Sequence, residues 1–428
     1  MKIKTVDMDY EKVLTLKKAG HMTPHKPGII ARSAMRLFLA GELKEVNFRY
    51  DMLCDKAVLD QPCMIFMNHS SFTDLSIASK ILYPRPYNVI CTSDGFVGKA
   101  GLMRAVGCIP AKKFVSDVTL INDIRYTLHT LKSSVLMYPE ASYSFDGRAT
   151  PLRKKLGLLL KRTDVPLIFI RTYGAFARDP LYNCLQKRKV DVSAEVSCLL
   201  TREQIKEMSV SQIDEALEKD FDFDNFKWQE ENGIEIAEPF RADGLDRILY
   251  KCVDCGAEGE TEGKGISFVC HRCGKKYTLD TLGRLLPEDG NARFTRVPDW
   301  YEWEREQVKD EILSDRYLLD TRVDIAVMVN YKAVYKVGSG RLIHNGEGFT
   351  LTGCGGKLEY EQSPLACYSL YSDYFWYEIG DMICIGNNDI LYYCFPEKKN
   401  VAAKTRLAAE ELYKICKAEK RGLLSNRT

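Results

Sequence analysis

Met64-Ile-Phe-Met-Asn-His-Ser-Ser-Phe-Thr-Asp74 is the stretch on which the fold turns. Its first four residues are apolar without alternation, the pattern of a strand buried on both faces. The polar residues that follow suit a turn opening a helix over Asp74 to Leu82. Three further apolar runs resemble the first: Tyr87 to Cys91, Val135 to Tyr138 and Val165 to Ile170. Helical stretches are expected between them, over Val118 to Lys132 and Leu152 to Arg162. Alternating strand and helix predicts an α/β domain with a mostly parallel sheet, over residues 46–235.

His69 and Asp74 stand five positions apart. On one helix that spacing puts side chains ~140° apart, on different faces. They can meet only with His69 in the turn and Asp74 in the first helical turn, with Ser70 or Ser71 as N-cap. A histidine held by a carboxylate through one ring nitrogen presents the other as a base. A structural reading stands beside this one. Ser71-x-x-Asp74 is an acidic variant of a capping box, and Asp74 can simply favour the helix dipole.

A second polar segment, Tyr138-Pro-Glu-Ala-Ser-Tyr-Ser144, also follows a strand end. Ligands of open parallel sheets gather at the carboxyl ends of strands, so two such motifs point to one cleft. Glu140 there is either a loop carboxylate or a substrate ligand. Between the motifs, Lys99, Arg104, Lys112 and Lys113 form a basic stretch with no acid among them. This suits a phosphate-bearing substrate or a coenzyme A phosphate, or is only an exposed loop.

Asn68-His69-x4-Asp74, then Tyr-Pro-Glu140, then Val165-Pro-Leu-Ile, resembles the glycerolipid acyltransferases, the family that includes lysophosphatidic acid acyltransferases. The resemblance covers about residues 45–200. It implies that His69 is the general base on an acceptor hydroxyl, with Asp74 orienting it. It also implies that Asn68, Lys112, Lys113, Glu140, Ser142 and Arg148 belong to substrate binding. Gly107-Cys-Ile-Pro-Ala-Lys-Lys113 matches the family's second motif, with Lys113 where arginine is usual. The third motif departs further, because Tyr143 replaces the usual phosphate-contacting arginine. A phenol cannot form a bidentate phosphate fork, which leaves that charge to Lys113 or Arg148. The implied reaction moves an acyl group from acyl-CoA or acyl carrier protein to a hydroxyl of a lysophospholipid or glycerol phosphate. Backbone N–H groups near the helix start would hold the oxyanion. A serine hydrolase using Ser70 or Ser71 lacks the Gly-x-Ser-x-Gly elbow. A non-catalytic scaffold on a degenerate domain is the alternative from another class.

The 428 residues, 45% hydrophobic and 28% charged, exclude a disordered tail or a collagen-like chain and fit about three domains. No run approaches the ~20 apolar residues that span a bilayer. The first residues lack the apolar core of a signal peptide, so a cytoplasmic, peripherally membrane-associated protein is expected. Net charge is +2, but residues 1–50 hold ten Lys/Arg against five Asp/Glu, whereas 202–246 hold five against fourteen. The second segment reads as exposed helix. The first, together with Gly28 to Ala40, reads as a basic arm over 1–45 that docks on a phospholipid surface or packs on the sheet. Leu152 to Arg162 has a similar mix and reads as a helix packed on the sheet.

Fifteen cysteines in such a chain argue for thiols and metal ligands. Cys252-Val-Asp-Cys255-Gly and Cys270-His-Arg-Cys273-Gly form a four-cysteine zinc signature, a structural ribbon over 247–290. His271 lies inside a knuckle and is not counted as a ligand. No nucleic-acid partner is expected. Residues 296–428 combine strand-like runs, turn signals and a closing helix, which predicts a β-rich, PH-like module. Trp300 and Trp303 read as its packing anchors.

Overall fold

The computed structural model describes residues 2–114 and 117–422. The chain forms two compact units. One comprises His21–Pro180 with Gln186–Asn232. The other comprises the residues up to Gly20, Leu181–Leu185 and Gly233–Thr428.

The chain opens with a three-residue strand, β1 (Thr5–Asp7), of the second unit. The first unit is built on seven strands: β2 (Arg49–Met52), β3 (Met64–Met67), β4 (Tyr87–Thr92), β5 (Cys108–Ala111), β6 (Ser134–Met137), β7 (Leu167–Tyr173) and β8 (Ser193–Leu200). They lie in the order β2-β8-β7-β3-β6-β4-β5. Every neighbouring pair is parallel except β7 and β8, so the four runs read from the sequence form the parallel centre. Strands β2, β5 and β8 were not foreseen.

The alternation within β3 explains its position. Ile65 and Met67 face one apolar layer with Ile77, Ala78 and Ile81 of the helix Asp74–Leu82 and Leu43 of the helix Ile29–Glu45. Met64 and Phe66 face the other, with Ile124 and Leu128 of the helix Val118–His129 and Leu156 and Leu160 of the helix Leu156–Thr163. All four β3 side chains are fully buried, as a central parallel strand requires.

The acidic segment differs from the expectation of exposed helix. Its helix Val210–Phe221 sends Ile213, Leu217 and Phe221 into that second layer. Gly157 permits the approach, because a Cβ there would lie 2.7 Å from the Val210 carbonyl oxygen. The three apolar residues recur every four positions, a buried stripe masked by the charges on the opposite face.

The second unit carries a ribbon sheet, β9 (Thr261–Lys264), β10 (Ser267–Cys270), β11 (Lys276–Leu279) and β12 (Leu285–Pro287), in the order β12-β11-β10-β9. Seven longer strands follow: β13 (Leu319–Met328), β14 (Val334–Asn345), β15 (Gly348–Gly353), β16 (Leu358–Gln362), β17 (Tyr371–Trp376), β18 (Gly380–Gly386) and β19 (Leu391–Pro396). Their order is β16-β15-β14-β13-β19-β18-β17, and the helix Ala402–Lys420 closes the chain. Trp300, on the helix Val297–Leu313, packs edge-on against Phe268 and Tyr277 of the ribbon and donates Nε1–H to the Lys251 carbonyl.

Residues 1–45 are therefore not one arm. Thr5–Asp7 pairs parallel with Val334–Lys336 of β14, and only the part from His21 onward belongs to the first unit. The backbone donors of a three-residue segment are satisfied by an open strand edge, a long-range pairing that local sequence does not announce.

Candidate active site

Strands β3 and β6 are parallel neighbours, so Asn68-His69 and Tyr138-Pro-Glu140 emerge side by side. Glu140 joins the two turns. Its Oε2 accepts His69 N–H at 2.7 Å and its Oε1 accepts Thr150 N–H at 2.8 Å. Asn68 ties the same turn to β7. Its Oδ1 accepts Thr172 N–H at 2.8 Å and Thr172 Oγ1 at 3.1 Å, and its Nδ2 reaches Ser70 Oγ at 3.0 Å. Both side chains are buried, and these bonds to backbone and side chains of the protein brace the His69 turn.

Asp74 is the first residue of its helix, and Thr73 occupies the cap position without a side-chain cap bond. The expected serine N-cap is thus displaced by two or three residues. Asp74 Oδ2 reaches back to His69 Nδ1 at 3.0 Å, Ser70 N at 2.9 Å and Ser71 N at 3.2 Å. The bonds to Ser70 N and Ser71 N satisfy two amides of the turn that leads into the helix. Bracing of that turn and orientation of the histidine are therefore performed by one oxygen. Ser71 Oγ accepts from Thr73 N and donates to Asp179 Oδ1 at 2.5 Å, an anchor that sequence reasoning missed because Asp179 is distant in the chain.

Burial dominates the electrostatics of the pair. It pushes Asp74 up to about 8 against the two backbone N–H groups that favour its charge. Its Oδ1 is buried without a hydrogen-bond partner. Burial also holds His69 well below the usual histidine value, and the charge of Lys113 lowers it further. Lys112 and Lys113 directly follow β5, at the carboxyl edge of the same sheet.

His69 lies in a stack of rings. Tyr138 covers one face, with centroids 4.2 Å apart, and Tyr143 covers the other at 3.8 Å. Phe72, half exposed, continues the stack on Tyr143 at 5.2 Å. The departure from the expected arginine at 143 thus supplies an aromatic cover. Of the remaining residues expected at the site, Ser142 is buried in the same loop. Arg148 is directed to Asp224, with Nε 3.3 Å from Oδ2.

Residues 48–171 match the family model described as Acyltransferase. The match begins just before β2, ends inside β7 and contains His69, Asp74 and Glu140. The stretch that matches is the one that carries the ordered motifs. Among solved structures, the chain is similar to the crystal structure of the 1-acyl-sn-glycerophosphate (LPA) acyltransferase PlsC from Thermotoga maritima. The identity is 12% and the TM-score 0.33, over 44% of this chain and 78% of that one. No curated protein matches the sequence.

In the second unit, Cys252, Cys255, Cys270 and Cys273 bring their sulfurs within 4.8 Å of one another. Two of the separations, Cys252–Cys273 and Cys255–Cys270, are 3.8 Å. A tetrahedron with Zn–S bonds of about 2.3 Å has edges of about 3.8 Å, so the residues fit zinc. Gly256 and Gly274 follow the pairs with positive φ, and their N–H groups close the turns onto the Cys252 and Cys270 carbonyls. Four thiolates leave no open position, the arrangement of a structural metal.

Proposed function

We propose that the protein transfers a fatty acyl group from an acyl thioester, acyl-CoA or acyl carrier protein, to a hydroxyl of a lysophospholipid or glycerol-phosphate-type acceptor. The observation that carries this reading is the bond from His69 Nδ1 to Asp74 Oδ2 inside an acyltransferase domain. With Asp74 ionised, Nδ1 must donate, and Nε2 is left with a lone pair. Nε2 takes the acceptor's hydroxyl proton while the oxygen attacks the thioester carbonyl. The C–S bond then breaks, and the thiolate recovers the proton from the imidazolium.

Two phenol faces on the imidazole favour its transient positive charge. Helix-start amides were expected to hold the oxyanion, but Ser70, Ser71, Thr73 and Asp74 N–H are already bonded. Among the described residues Phe72 N–H makes no hydrogen bond, and it is the amide we assign to the oxyanion. Among the described residues no bond joins His69 to Ser70 or Ser71. This favours a base acting directly on the acceptor over a serine hydrolase.

Zinc held by the four cysteines would stabilise the ribbon and take no part in the transfer. The strand order of the C-terminal sheet and its closing helix support a PH-like reading of that module. No helix among the described residues is long and apolar enough to cross a membrane. The proposed lipid acceptor is met at a membrane surface. Thiol release from acyl-CoA, with a panel of lysophospholipids as acceptors, tests the assignment. Release that depends on the acceptor is expected, and the absence of any acceptor dependence would leave the scaffold reading.

A further inference from the structure

The helices Ile29–Glu45 and Asp74–Leu82 border a groove of about 480 Å³, lined by Arg36, Lys44 and Lys80 beside Leu43 and Phe48. No carboxylate lines it. Of the two acids of the first helix, Glu42 lies at the groove wall through Ser76, which lines the groove, and only Glu45 is turned to other partners. Glu42 accepts from Ser76 Oγ at 2.9 Å, and Glu45 pairs with Arg178 and Lys187. Among the described residues none of the three cations makes an ion pair, and Arg36 is held over the Tyr83 ring at 4.3 Å. Three positive side chains thus gather around one cavity against the single carboxylate of Glu42, with which none of them forms an ion pair.

The same helix carries a second feature. Ile30, Leu37 and Phe38 are 83%, 80% and 88% exposed. Their spacing of seven and eight places them on one side of the helix. Lys44, seven residues after Leu37, continues that side to the helix end.

We propose that this groove binds the headgroup phosphate of an anionic phospholipid in the membrane surface, with Arg36, Lys44 and Lys80 as its ligands. Ile30, Leu37 and Phe38 enter the acyl layer beside it. The occupant follows from charge and shape together. Three unmatched cations call for an anion. An apolar floor and an adjacent apolar ridge call for one that carries hydrocarbon. The long lysine stems reach headgroup level from beside the ridge. The inference rests on the proposed acyl transfer only in that both require a lipid surface.

The test is co-sedimentation of the full chain with phosphatidylcholine vesicles and with vesicles containing about 30 mol% phosphatidylglycerol. Near-surface cations predict binding to the anionic vesicles about 100-fold tighter than that of the triple variant R36A/K44A/K80A. The control K336A/K398A/K399A, three exposed lysines of the other unit, is expected to bind like wild type. Replacing Leu37 and Phe38 by serine is expected to weaken binding to both vesicle types.

Three outcomes would overturn the proposal. One is equal binding of wild type to neutral and anionic vesicles. Another is an equal loss in the control variant. The third is saturable binding of inorganic phosphate abolished by R36A/K44A/K80A while vesicle binding persists, which would make this a free-phosphate site. Thiol release on a detergent-dispersed acceptor is read in parallel. A wild type inactive there rejects the catalytic reading and leaves the vesicle result standing.

Discussion

Tyr143 lies against His69 with ring centroids 3.8 Å apart and planes inclined by 30°. The contact covers the imidazole face opposite Tyr138, so rotation of the ring about its Cβ–Cγ bond is blocked from both sides. An aromatic pair of this kind contributes about 0.5–1.5 kcal/mol beyond area burial. Tyr143→Ala should therefore lower kcat by up to about tenfold, and Tyr143→Phe should retain most of it. Steady-state kinetics on both variants check this. Equal activity of Tyr143→Ala and wild type would assign the ring to packing alone.

In the proposed mechanism the His69–Asp74 pair sets the pH dependence. Asp74 is raised by burial to about 8, so below that value the buried carboxyl keeps its proton. A protonated Asp74 donates to Nδ1 and places the imidazole hydrogen on Nε2, where no base remains. Loss of the proton restores the active tautomer, so kcat/KM should rise with pH through a limb near about 8. His69 is itself held low, so it contributes no limb near the usual histidine value. A profile of kcat/KM against pH with its acid limb near 6.5 would contradict this assignment. Asp74→Asn should remove the limb and cost about 10²–10⁴ in rate, because an amide whose oxygen serves Ser70 and Ser71 N–H no longer orients Nδ1–H.

Asn68 is predicted to act on stability before it acts on binding. Asn68→Ala leaves the buried Thr172 N–H without its acceptor, a loss of about 1–3 kcal/mol. The urea midpoint should fall accordingly, and Asn68→Asp, which keeps an acceptor oxygen, should recover part of it. An unchanged midpoint for Asn68→Ala would return the residue to a substrate-contacting role.

The cysteine ribbon should carry one zinc per chain by elemental analysis. Cys255→Ser should lose that zinc and expose the buried Cys252 and Cys270 to thiol reagents. Metal-free protein whose two buried thiols stay protected would show that the ribbon folds without a metal.

Much of this architecture is legible from local pattern. The four apolar runs become the parallel centre because a doubly buried strand needs no polar alternation, and the helix at Asp74 begins at its expected residue. The cysteine spacing predicts the cluster because ligand geometry is local in each knuckle. What escapes is long-range. β1 pairs with β14 across more than 300 residues, and Asp179 reaches Ser71 across 108. The stripe of Ile213, Leu217 and Phe221 is hidden by fourteen acids in its neighbourhood. At the site, the residue types of the His69 turn announce the proposed base and its carboxylate. Only the packing shows that Asn68 and Glu140 serve that turn, and that Tyr143 covers its ring.

The central claim is that His69 is the base. The most direct test is thiol release from acyl-CoA in the presence of an accepting lysophospholipid, comparing wild type with His69→Ala of the same melting temperature. Loss of a general base predicts a fall of about 10²–10⁴ in kcat. Full acceptor-dependent turnover by His69→Ala would contradict the mechanism.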